Sequence, residues 1–331
     1  MRRLLTFKTH SPCFLFGGRN PPLSSQRQHA SSPRSGLAAR QRAAWLRWRV
    51  LVTLGESMPE LPEVETIAKG VHRSIHGDSI VSVWFSHYKE PFRTPPAEME
   101  AALAGLRIVR VARVGKHIVF DLAPKAGRKI ATQWIVHLGM TGRLLVSAAG
   151  VPLPPHTHAI LRLSSGRELR FADPRRFGRL ALHSAEAGTF AGPGREPLTI
   201  APADFAALFR GRKLSMKAAL LNQSLLHGVG NIYADESLFR AGIRPTRRAG
   251  RLSREQLDRL HTALRAVLRR AIQAGGSSIS DYVDADGVEG LFQVQHRVYG
   301  REGQPCRVCG TPIRRIVLAG RSTHFCPHCQ K

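Results

Sequence analysis

Four cysteines near the C-terminal end constrain the fold of this chain more than any other feature. They form two Cys-x-x-Cys pairs, Cys306 with Cys309 and Cys326 with Cys329, separated by sixteen residues. Each pair can place two thiolates along one edge of a tetrahedron, which is the arrangement that a structural Zn²⁺ requires. The residues between the pairs predict two strands joined at Ala-Gly-Arg. We therefore expect one structural zinc ion that holds a β-hairpin, in preference to a redox-active pair of dithiols.

The excess of basic residues indicates a polyanionic partner. The 331 residues carry a formal net charge of +27, of which the first 58 residues, with ten basic and one acidic side chain, account for +9. Such a charge is typical of proteins that bind nucleic acid, with an anionic membrane surface as the alternative. No apolar run approaches the roughly 18 residues of a spanning helix, so we expect no membrane partner. The five cysteines are too few for a disulfide scaffold and favour a reducing, intracellular setting.

The sequence pattern divides the chain into four parts. Residues 1–58 are rich in Arg, Ser and Pro and hold a single acid, which predicts a disordered basic extension. Residues 59–190 begin with an amphipathic helix and continue with strand-like segments, so this part is mostly β. Residues 197–290 change to helical periodicity, with a Ser-x-x-Gln capping box before the last helix. Residues 291–331 contain the zinc hairpin.

Individual elements follow from the same periodicities. The predicted helices cover residues 61–74, 201–210, 214–226 and 231–240, with a last helix that begins after Ser253 and reaches Gly275. The predicted strands cover residues 80–85, 108–114, 117–122, 130–136, 159–163, 168–171, 313–318 and 322–325.

A glycine-rich turn, residues 228–231, lies between two of the predicted helices. Glycine allows close approach of another backbone, and the N-terminus of the helix that follows can offer free N–H groups to a phosphate. The basic residues Lys213 and Lys217 just upstream favour a DNA phosphate as the ligand, although such turns are often purely structural.

Five sequence blocks resemble the motifs of the formamidopyrimidine-DNA glycosylase family, and they occur in the order found in that family. The blocks are Pro59-Glu60-Leu61-Pro62-Glu63-Val64-Glu65, His137-Leu138-Gly139-Met140-Thr141-Gly142, Asp173-Pro174-Arg175-Arg176-Phe177-Gly178, Gly228-Val229-Gly230-Asn231-Ile232-Tyr233-Ala234 and Gly320-Arg321-Ser322-Thr323. The resemblance implies an α+β multidomain fold with an N-terminal β-sandwich and flanking helices, a helix–two-turn–helix domain and a C-terminal zinc β-hairpin finger. It also implies base-excision repair, in which oxidised purines such as 8-oxoguanine and formamidopyrimidines are flipped out of duplex DNA and excised.

The resemblance assigns the chemistry to the amine of Pro59. A terminal α-amine has a pKa near 8, against about 10.4 for lysine, so it is a ready nucleophile at neutral pH. Attack of the secondary amine on C1′ gives an iminium, which draws electrons during loss of the 3′ and then the 5′ phosphate (β,δ-elimination). Glu60 is expected to act as an acid or base at the sugar ring oxygen. Lys116 is expected to assist β-elimination, and Arg321 at the finger tip to clamp a phosphate and assist δ-elimination.

The resemblance also implies a set of DNA contacts. The expected DNA-binding residues are His137, His156 or its neighbour His158, Arg175, Lys213, Lys217 and Asn231. Three side chains are expected to fill the space left by the flipped base, with Phe177 as a wedge, Met140 as a flexible filler and Arg175 as the partner of the orphaned base. Core packing is the alternative for Met140 and Phe177. The segment 275–290 resembles the loop that closes on a flipped oxidised purine.

The chain departs from the family pattern at two places. His227 stands where the family usually carries a small or branched apolar residue, and a 57-residue extension, followed by Met58, precedes Pro59. An amide nitrogen cannot act as the nucleophile, so we expect a misassigned start, with translation from Met58 and removal of that methionine. An organellar transit peptide is the alternative.

Two other functions fit parts of the pattern. One is an enzyme of the endonuclease VIII type, which prefers oxidised pyrimidines and typically has Gly where this chain has Leu61. The other is a catalytically silent, zinc-dependent DNA-binding protein, which requires the extension to stay attached. We expect a monomeric, bifunctional glycosylase and AP lyase that acts on damaged double-stranded DNA, with zinc and no organic cofactor, in the bacterial cytoplasm at the nucleoid.

Overall fold

The computed structural model describes residues 58–127, 129–277 and 290–331. Of the predicted basic extension, residues 1–57 lie outside the described residues. The predicted lesion-recognition loop 275–290 also lies outside them, except for its two ends.

The first described element is helix α1 (Leu61–Ile75). Its apolar residues recur every three or four positions, so that one stripe of the helix is buried. Leu61 belongs to the core of the helical part, whereas Val64, Ile67 and Val71 belong to the core between the sheets. A single helix therefore connects the two cores.

Two antiparallel sheets follow α1. Their strands are β1 (Ile80–Phe85), β2 (Arg107–Val114), β3 (His117–Ala123), β4 (Thr132–His137), β5 (Arg143–Ala148), β6 (Thr157–Leu163), β7 (Arg167–Ala172) and β8 (Arg179–Ser184). The strand orders are β1-β6-β7-β5 and β2-β3-β4-β8, and the β2–β3, β3–β4 and β6–β7 connections are antiparallel neighbours. Phe120, Trp134 and Phe171 fill the space between the sheets, which confirms the expected β-sandwich.

The sequence pattern misses three elements of this part. Helix α2 (Pro96–Leu103) connects β1 to β2, and only Met99 and Leu103 of its residues are buried. Strands β5 and β8 lie at the edges of their sheets and each buries a single residue, Leu144 or Leu180. An edge strand with one buried position lacks the alternation by which a strand is recognised.

The helical part contains helices α3 (Pro202–Ala207), α4 (Met216–Leu221), α5 (Asn231–Ala241) and α6 (Arg254–Gln273). Helix α6 begins at the predicted capping box, in which Ser253 and Gln256 exchange hydrogen bonds of 3.0 and 3.2 Å. Helix α4 is shorter than the predicted 214–226. Its end is fixed by Asn222, whose side chain accepts the Ser224 N–H at 3.0 Å and so competes with helical hydrogen bonding.

The C-terminal hairpin consists of β9 (Arg314–Leu318) and β10 (Arg321–Phe325). The two residues between the strands, Ala319 and Gly320, have φ of 49° and 72°. Positive φ at both central residues is what a type I′ turn requires, so this turn is tight and places Arg321 at the tip. Within the described ranges, no helix has both the length and the apolar character needed to cross a membrane.

Candidate active site

The carboxylate of Glu60 is buried against the N-terminus of α5. Its Oε1 accepts the Ile232 N–H at 2.9 Å, and its Oε2 accepts the Tyr233 N–H at 3.4 Å. Gly230 is required here, because a Cβ atom added to it would lie 2.2 Å from the carboxyl carbon of Glu60. Burial raises the pKa of Glu60 to about 7, although Lys116 partly opposes this. Near neutral pH this carboxyl can therefore donate or accept a proton.

The glycine-rich turn does not offer the N–H groups of Ile232 and Tyr233 to a phosphate in this structure. The N–H groups of Ile232 and Tyr233 bind Glu60 from the same protein instead. The turn also docks on the start of α1, since Gly228 accepts the Leu61 N–H at 3.0 Å. Gly228 has a φ of +89°, and a Cβ atom there would lie 2.9 Å from the Cβ of Leu61. Its glycines therefore serve the contact between α1 and α5.

Glu63 is a buried connector next to the proposed nucleophile. One carboxylate oxygen accepts the Glu60 N–H at 3.0 Å, while the other accepts the Ser277 N–H at 2.7 Å and the hydroxyl of Tyr233. Burial raises the pKa of Glu63, and these hydrogen bonds oppose the rise. The bond to the Glu60 amide fixes the peptide that follows Pro59, which is itself half-buried. Glu63 thus joins α1 to α5 and to the end of the segment after α6.

Lys116, in the turn between β2 and β3, belongs to the same cluster of charges. Burial lowers the pKa of its ammonium group, the carboxylates of Glu60 and Glu63 raise it, and the guanidinium of Arg321 lowers it. Groups that act on one another in this way lie close together. The charges of the predicted catalytic residues Glu60, Lys116 and Arg321 therefore act on one another, and Glu60 directly follows Pro59 in the chain.

Lys217, which the sequence predicts to contact DNA, lies in the interior of the protein. Its side chain is fully buried, where the ammonium lies 2.7 Å from Oδ1 of Asp235 and donates to the Ser322 carbonyl at 2.7 Å. Asp235 also accepts the His324 N–H at 2.8 Å. A buried lysine requires such partners, since an unpaired charge inside a protein is costly. The pair anchors strand β10 on α5, whereas Lys213 is exposed.

His137 and Asn231 both lie beside the charged cluster. The Nδ1 atom of His137 accepts the Gly139 N–H at 3.1 Å, so the proton of the neutral ring is on Nε2. Burial lowers the pKa of His137 to about 4, with smaller effects from His117 and Lys116. The ring is therefore a neutral hydrogen-bond donor at physiological pH. Asn231 donates from Nδ2 to the Ser322 hydroxyl at 3.2 Å, which links α5 to the hairpin.

The structure distinguishes between the two neighbouring histidines of the sandwich. His158 is buried, with Nδ1 at 3.0 Å from the Ser86 hydroxyl and Nε2 at 3.0 Å from the carbonyl of Asp173. Both ring nitrogens are thus used inside the protein. His156 is exposed, with a φ of 61°. His156 is the one of the two that can reach a ligand.

Asp173 organises the loop that carries Arg175 and Phe177, a role that sequence reasoning missed. Its Oδ1 accepts the Arg175 N–H at 3.2 Å and the hydroxyl of Thr141, and its Oδ2 accepts the Gly178 N–H at 2.8 Å. Asp173 is completely buried directly after a strand. An acid between a buried strand and Pro174 is the signal that could have identified it, because a buried carboxylate needs several donors.

The three predicted void-filling side chains lie on two loops in direct contact. A Cβ atom added to Gly139 would lie 2.6 Å from the backbone nitrogen of Gly178, so the loops meet backbone to backbone. The ring of Phe177 is 47% exposed and lies 4.9 Å from the guanidinium carbon of Arg175. Core packing is therefore the wrong explanation for Phe177. The side chain of Met140 is half-buried.

The four C-terminal cysteines form a site that fits one zinc ion. The Sγ atoms of Cys306 and Cys329 are 3.9 Å apart, those of Cys309 and Cys326 are 3.5 Å apart, and all four lie within 4.8 Å of one another. Four sulfurs at about 2.3 Å from a tetrahedral Zn²⁺ are about 3.8 Å apart. These cysteines hold one structural zinc, as the spacing predicted.

Comparisons with known proteins agree along the whole described region. Three family models match, namely the formamidopyrimidine-DNA glycosylase N-terminal domain over residues 58–180, the H2TH domain of that enzyme over residues 193–283, and a zinc finger found in FPG and IleRS over residues 303–331. The formamidopyrimidine-DNA glycosylase of Solibacter usitatus is 46% identical over 274 residues, which cover 83% of this chain and 100% of that protein.

Solved structures give the same result. The MutM (FPG) protein of Thermus thermophilus is 43% identical, with a TM-score of 0.71 over 82% of this chain and 98% of that one. A Lactococcus lactis FPG mutant in complex with a Fapy-dG containing DNA is 32% identical, with a TM-score of 0.75 over 82% of this chain and 100% of that one.

Proposed function

The chain belongs to the formamidopyrimidine-DNA glycosylase family, whose members are bifunctional glycosylases and AP lyases that excise oxidised purines in base-excision repair, and we propose that it works through the amine of Pro59. The proposed substrate is damaged double-stranded DNA, by analogy with the Lactococcus lactis relative and its Fapy-dG containing DNA. The Pro59 nitrogen attacks C1′ as the damaged base leaves, and the resulting iminium supports β- and then δ-elimination.

One observation carries this assignment. The residue after Pro59 is a carboxyl that is only 2% exposed and has a pKa of about 7, raised chiefly by burial. Ring opening at C1′ needs a proton on the sugar ring oxygen, and the attacking amine must lose one. Glu60 can perform such transfers because both of its protonation states are populated near neutral pH.

The other charged groups have distinct proposed roles. Lys116 assists β-elimination, since burial lowers the pKa of its ammonium and so brings it nearer to the range in which a lysine can exchange protons. Arg321, exposed at the hairpin tip, binds a phosphate and assists δ-elimination. His137 donates from Nε2 to a phosphate, and Asn231 completes that clamp.

The remaining DNA contacts are proposed on the basis of exposure. His156 and Lys213 are exposed and contact the DNA backbone. Phe177 enters the space left by the flipped base, Arg175 binds the orphaned base, and Met140 fills the remaining volume. The backbone contact between Gly139 and Gly178 keeps these three side chains close together.

We also propose that the active chain begins at Pro59. The match to the N-terminal family model starts at residue 58, and the Solibacter usitatus relative is matched over its whole length by 83% of this chain, which supports this start. The relatives named above are bacterial, and we propose action as a monomer at the nucleoid of a bacterial cytoplasm.

Borohydride trapping on duplex DNA with a single 8-oxoguanine tests the role of Pro59. A chain that begins at Pro59 should form a covalent adduct, and peptide mass spectrometry should place the DNA on that residue. The matched control is the 331-residue chain, in which the Pro59 nitrogen is an amide and no adduct is expected. An adduct on a lysine, or equal trapping of the two chains, would refute the proposal.

A further inference from the structure

His227 is buried where three segments of the chain meet. Its side chain is 5% exposed, its backbone N–H donates to the Arg195 carbonyl at 3.1 Å, and its Nε2 lies 3.2 Å from Oε2 of Glu196. A Cβ atom added to Gly115 would lie 3.0 Å from the Cβ and Cγ of His227. A Cβ atom added to Gly192 would lie 2.7 Å from its Nδ1. The imidazole therefore fills the space between the β2–β3 turn, the segment before α3 and the glycine-rich turn.

Glu196 connects His227 to the end of strand β2. Its Oε2 also accepts from Nη1 of Arg113 at 2.9 Å, and Nε of Arg113 donates to Glu65 on α1 at 2.7 Å. Burial would raise the pKa of Glu196, but the hydrogen bonds from His227 and Arg113 outweigh it and lower the pKa to about 2. Glu196 is thus an anion at neutral pH, which accepts a hydrogen bond from Arg113 and lies in close contact with the imidazole of His227.

The turn held in this way is the one that carries Lys116. Gly115 has a φ of +61°, and its carbonyl accepts from Nη1 of Arg113 at 3.4 Å. A Cβ atom added to Gly228 would lie 3.3 Å from that carbonyl oxygen, so the two turns are in backbone contact. A displacement of Gly115 would therefore change the position of the Lys116 ammonium relative to Glu60.

We propose that His227 is a positioning residue for Lys116. By filling the space beside Gly115 and contacting Glu196, it holds the β2–β3 turn against the helical part and fixes the position of the Lys116 ammonium relative to Glu60. This inference rests on the proposed role of Lys116. A smaller apolar side chain at position 227 leaves space beside Gly115 and removes one polar contact from the partly buried carboxylate of Glu196, so the turn can move.

The test compares His227→Val with His227→Gln. Valine removes both the ring and the donor, whereas the glutamine amide has about the reach of Nε2 and can still donate to Glu196. Single-turnover β-elimination on an abasic duplex should slow about tenfold in the valine variant, with the Kd for a tetrahydrofuran-containing duplex changed by less than about twofold. Glutamine should restore the rate to within about threefold of the original enzyme. An equal loss in both variants would overturn the inference.

A double-mutant cycle with Lys116→Ala separates this inference from the proposed function. If His227 acts through Lys116, the valine substitution should cause no further loss in the Lys116→Ala background. The same fold-loss in both backgrounds would refute the positioning role and leave the function of Lys116 intact. A Lys116→Ala variant with unchanged elimination would instead refute that function.

A second variant covers the case in which the valine protein does not fold. His227→Asn keeps a polar side chain, but its amide is too short to reach Glu196. It should slow elimination as valine does, with the thermal midpoint and the zinc content as checks on folding. Elimination at the rate of the glutamine variant would show that the contact with Glu196 is irrelevant.

Discussion

Replacing Glu60 by glutamine should change the pH dependence of stability in a defined direction. Burial raises the pKa of this carboxyl from 4.5 to about 7 in the folded protein. Between those two values the folded protein binds more protons than the unfolded chain. The favourable contribution of Glu60 is therefore fully present below pH 4.5 and is lost as the pH rises through 7. Glutamine does not titrate, so a comparison of variant and wild type isolates this one group.

The size of the effect follows from the two pKa values. At about 1.4 kcal/mol per pKa unit, the difference between 4.5 and about 7 corresponds to about 3.5 kcal/mol, and no large correction for solvent applies because Glu60 is 2% exposed. The stability of the Glu60→Gln variant relative to wild type should thus rise by about 2.5 kcal/mol from pH 5 to pH 9. The side-chain NH₂ of the new glutamine would face the Tyr233 N–H, and this contact between two donors lowers the stability by an amount that does not depend on pH.

The assay is urea unfolding of both proteins, followed by tryptophan fluorescence, at several pH values between 5 and 9. Glu255→Gln is the matched control for the substitution itself, because the side chain of Glu255 is 83% exposed. Excision of 8-oxoguanine by Glu60→Gln should be lost at every pH. A flat difference for Glu60→Gln would refute the argument that this carboxyl titrates near neutral pH.

Three further perturbations have equally direct outcomes. Lys217→Met leaves Asp235 buried without its cation, so it should lower the free energy of unfolding by about 3–5 kcal/mol and speed zinc release to a chelator. By contrast, Lys213→Ala should weaken DNA binding in an anisotropy titration without changing the melting temperature. Phe177→Ala should change stability by less than about 0.5 kcal/mol and slow excision, and a loss above about 3 kcal/mol would identify a core residue instead. Cys309→Ser removes one zinc ligand, so zinc content measured by mass spectrometry should fall well below one ion per chain.

Strongly periodic elements could be predicted from the sequence because their burial is one-sided. Helices α1 and α6 begin where the apolar stripe and the capping residues predict, and the zinc hairpin follows from the spacing of Cys306, Cys309, Cys326 and Cys329. The edge strands β5 and β8 could not be predicted, since a strand with one buried side chain resembles a loop in sequence.

The candidate site could be predicted only in part. Its residue types were recognisable from motifs, but the bond from Ile232 to Glu60 joins positions 172 residues apart, and no local pattern reports it. Lys217 shows the same limit. A lysine upstream of a glycine-rich turn resembles a DNA contact until Asp235, on another helix, is seen to neutralise it.

The connection of both cores by α1 has a consequence for synthesis on the ribosome. This helix is made before the rest of the described chain, yet Leu61 packs in a core whose other buried members lie between Ile200 and Phe292. The N–H groups that receive the Glu60 carboxylate also belong to this late part of the chain. Since folding during translation proceeds from the N-terminal side, the start of α1 must wait for most of the chain. The amine that we propose as nucleophile is thus synthesised early, but the site around it forms only after most of the chain has been made. A nascent chain therefore cannot act on DNA.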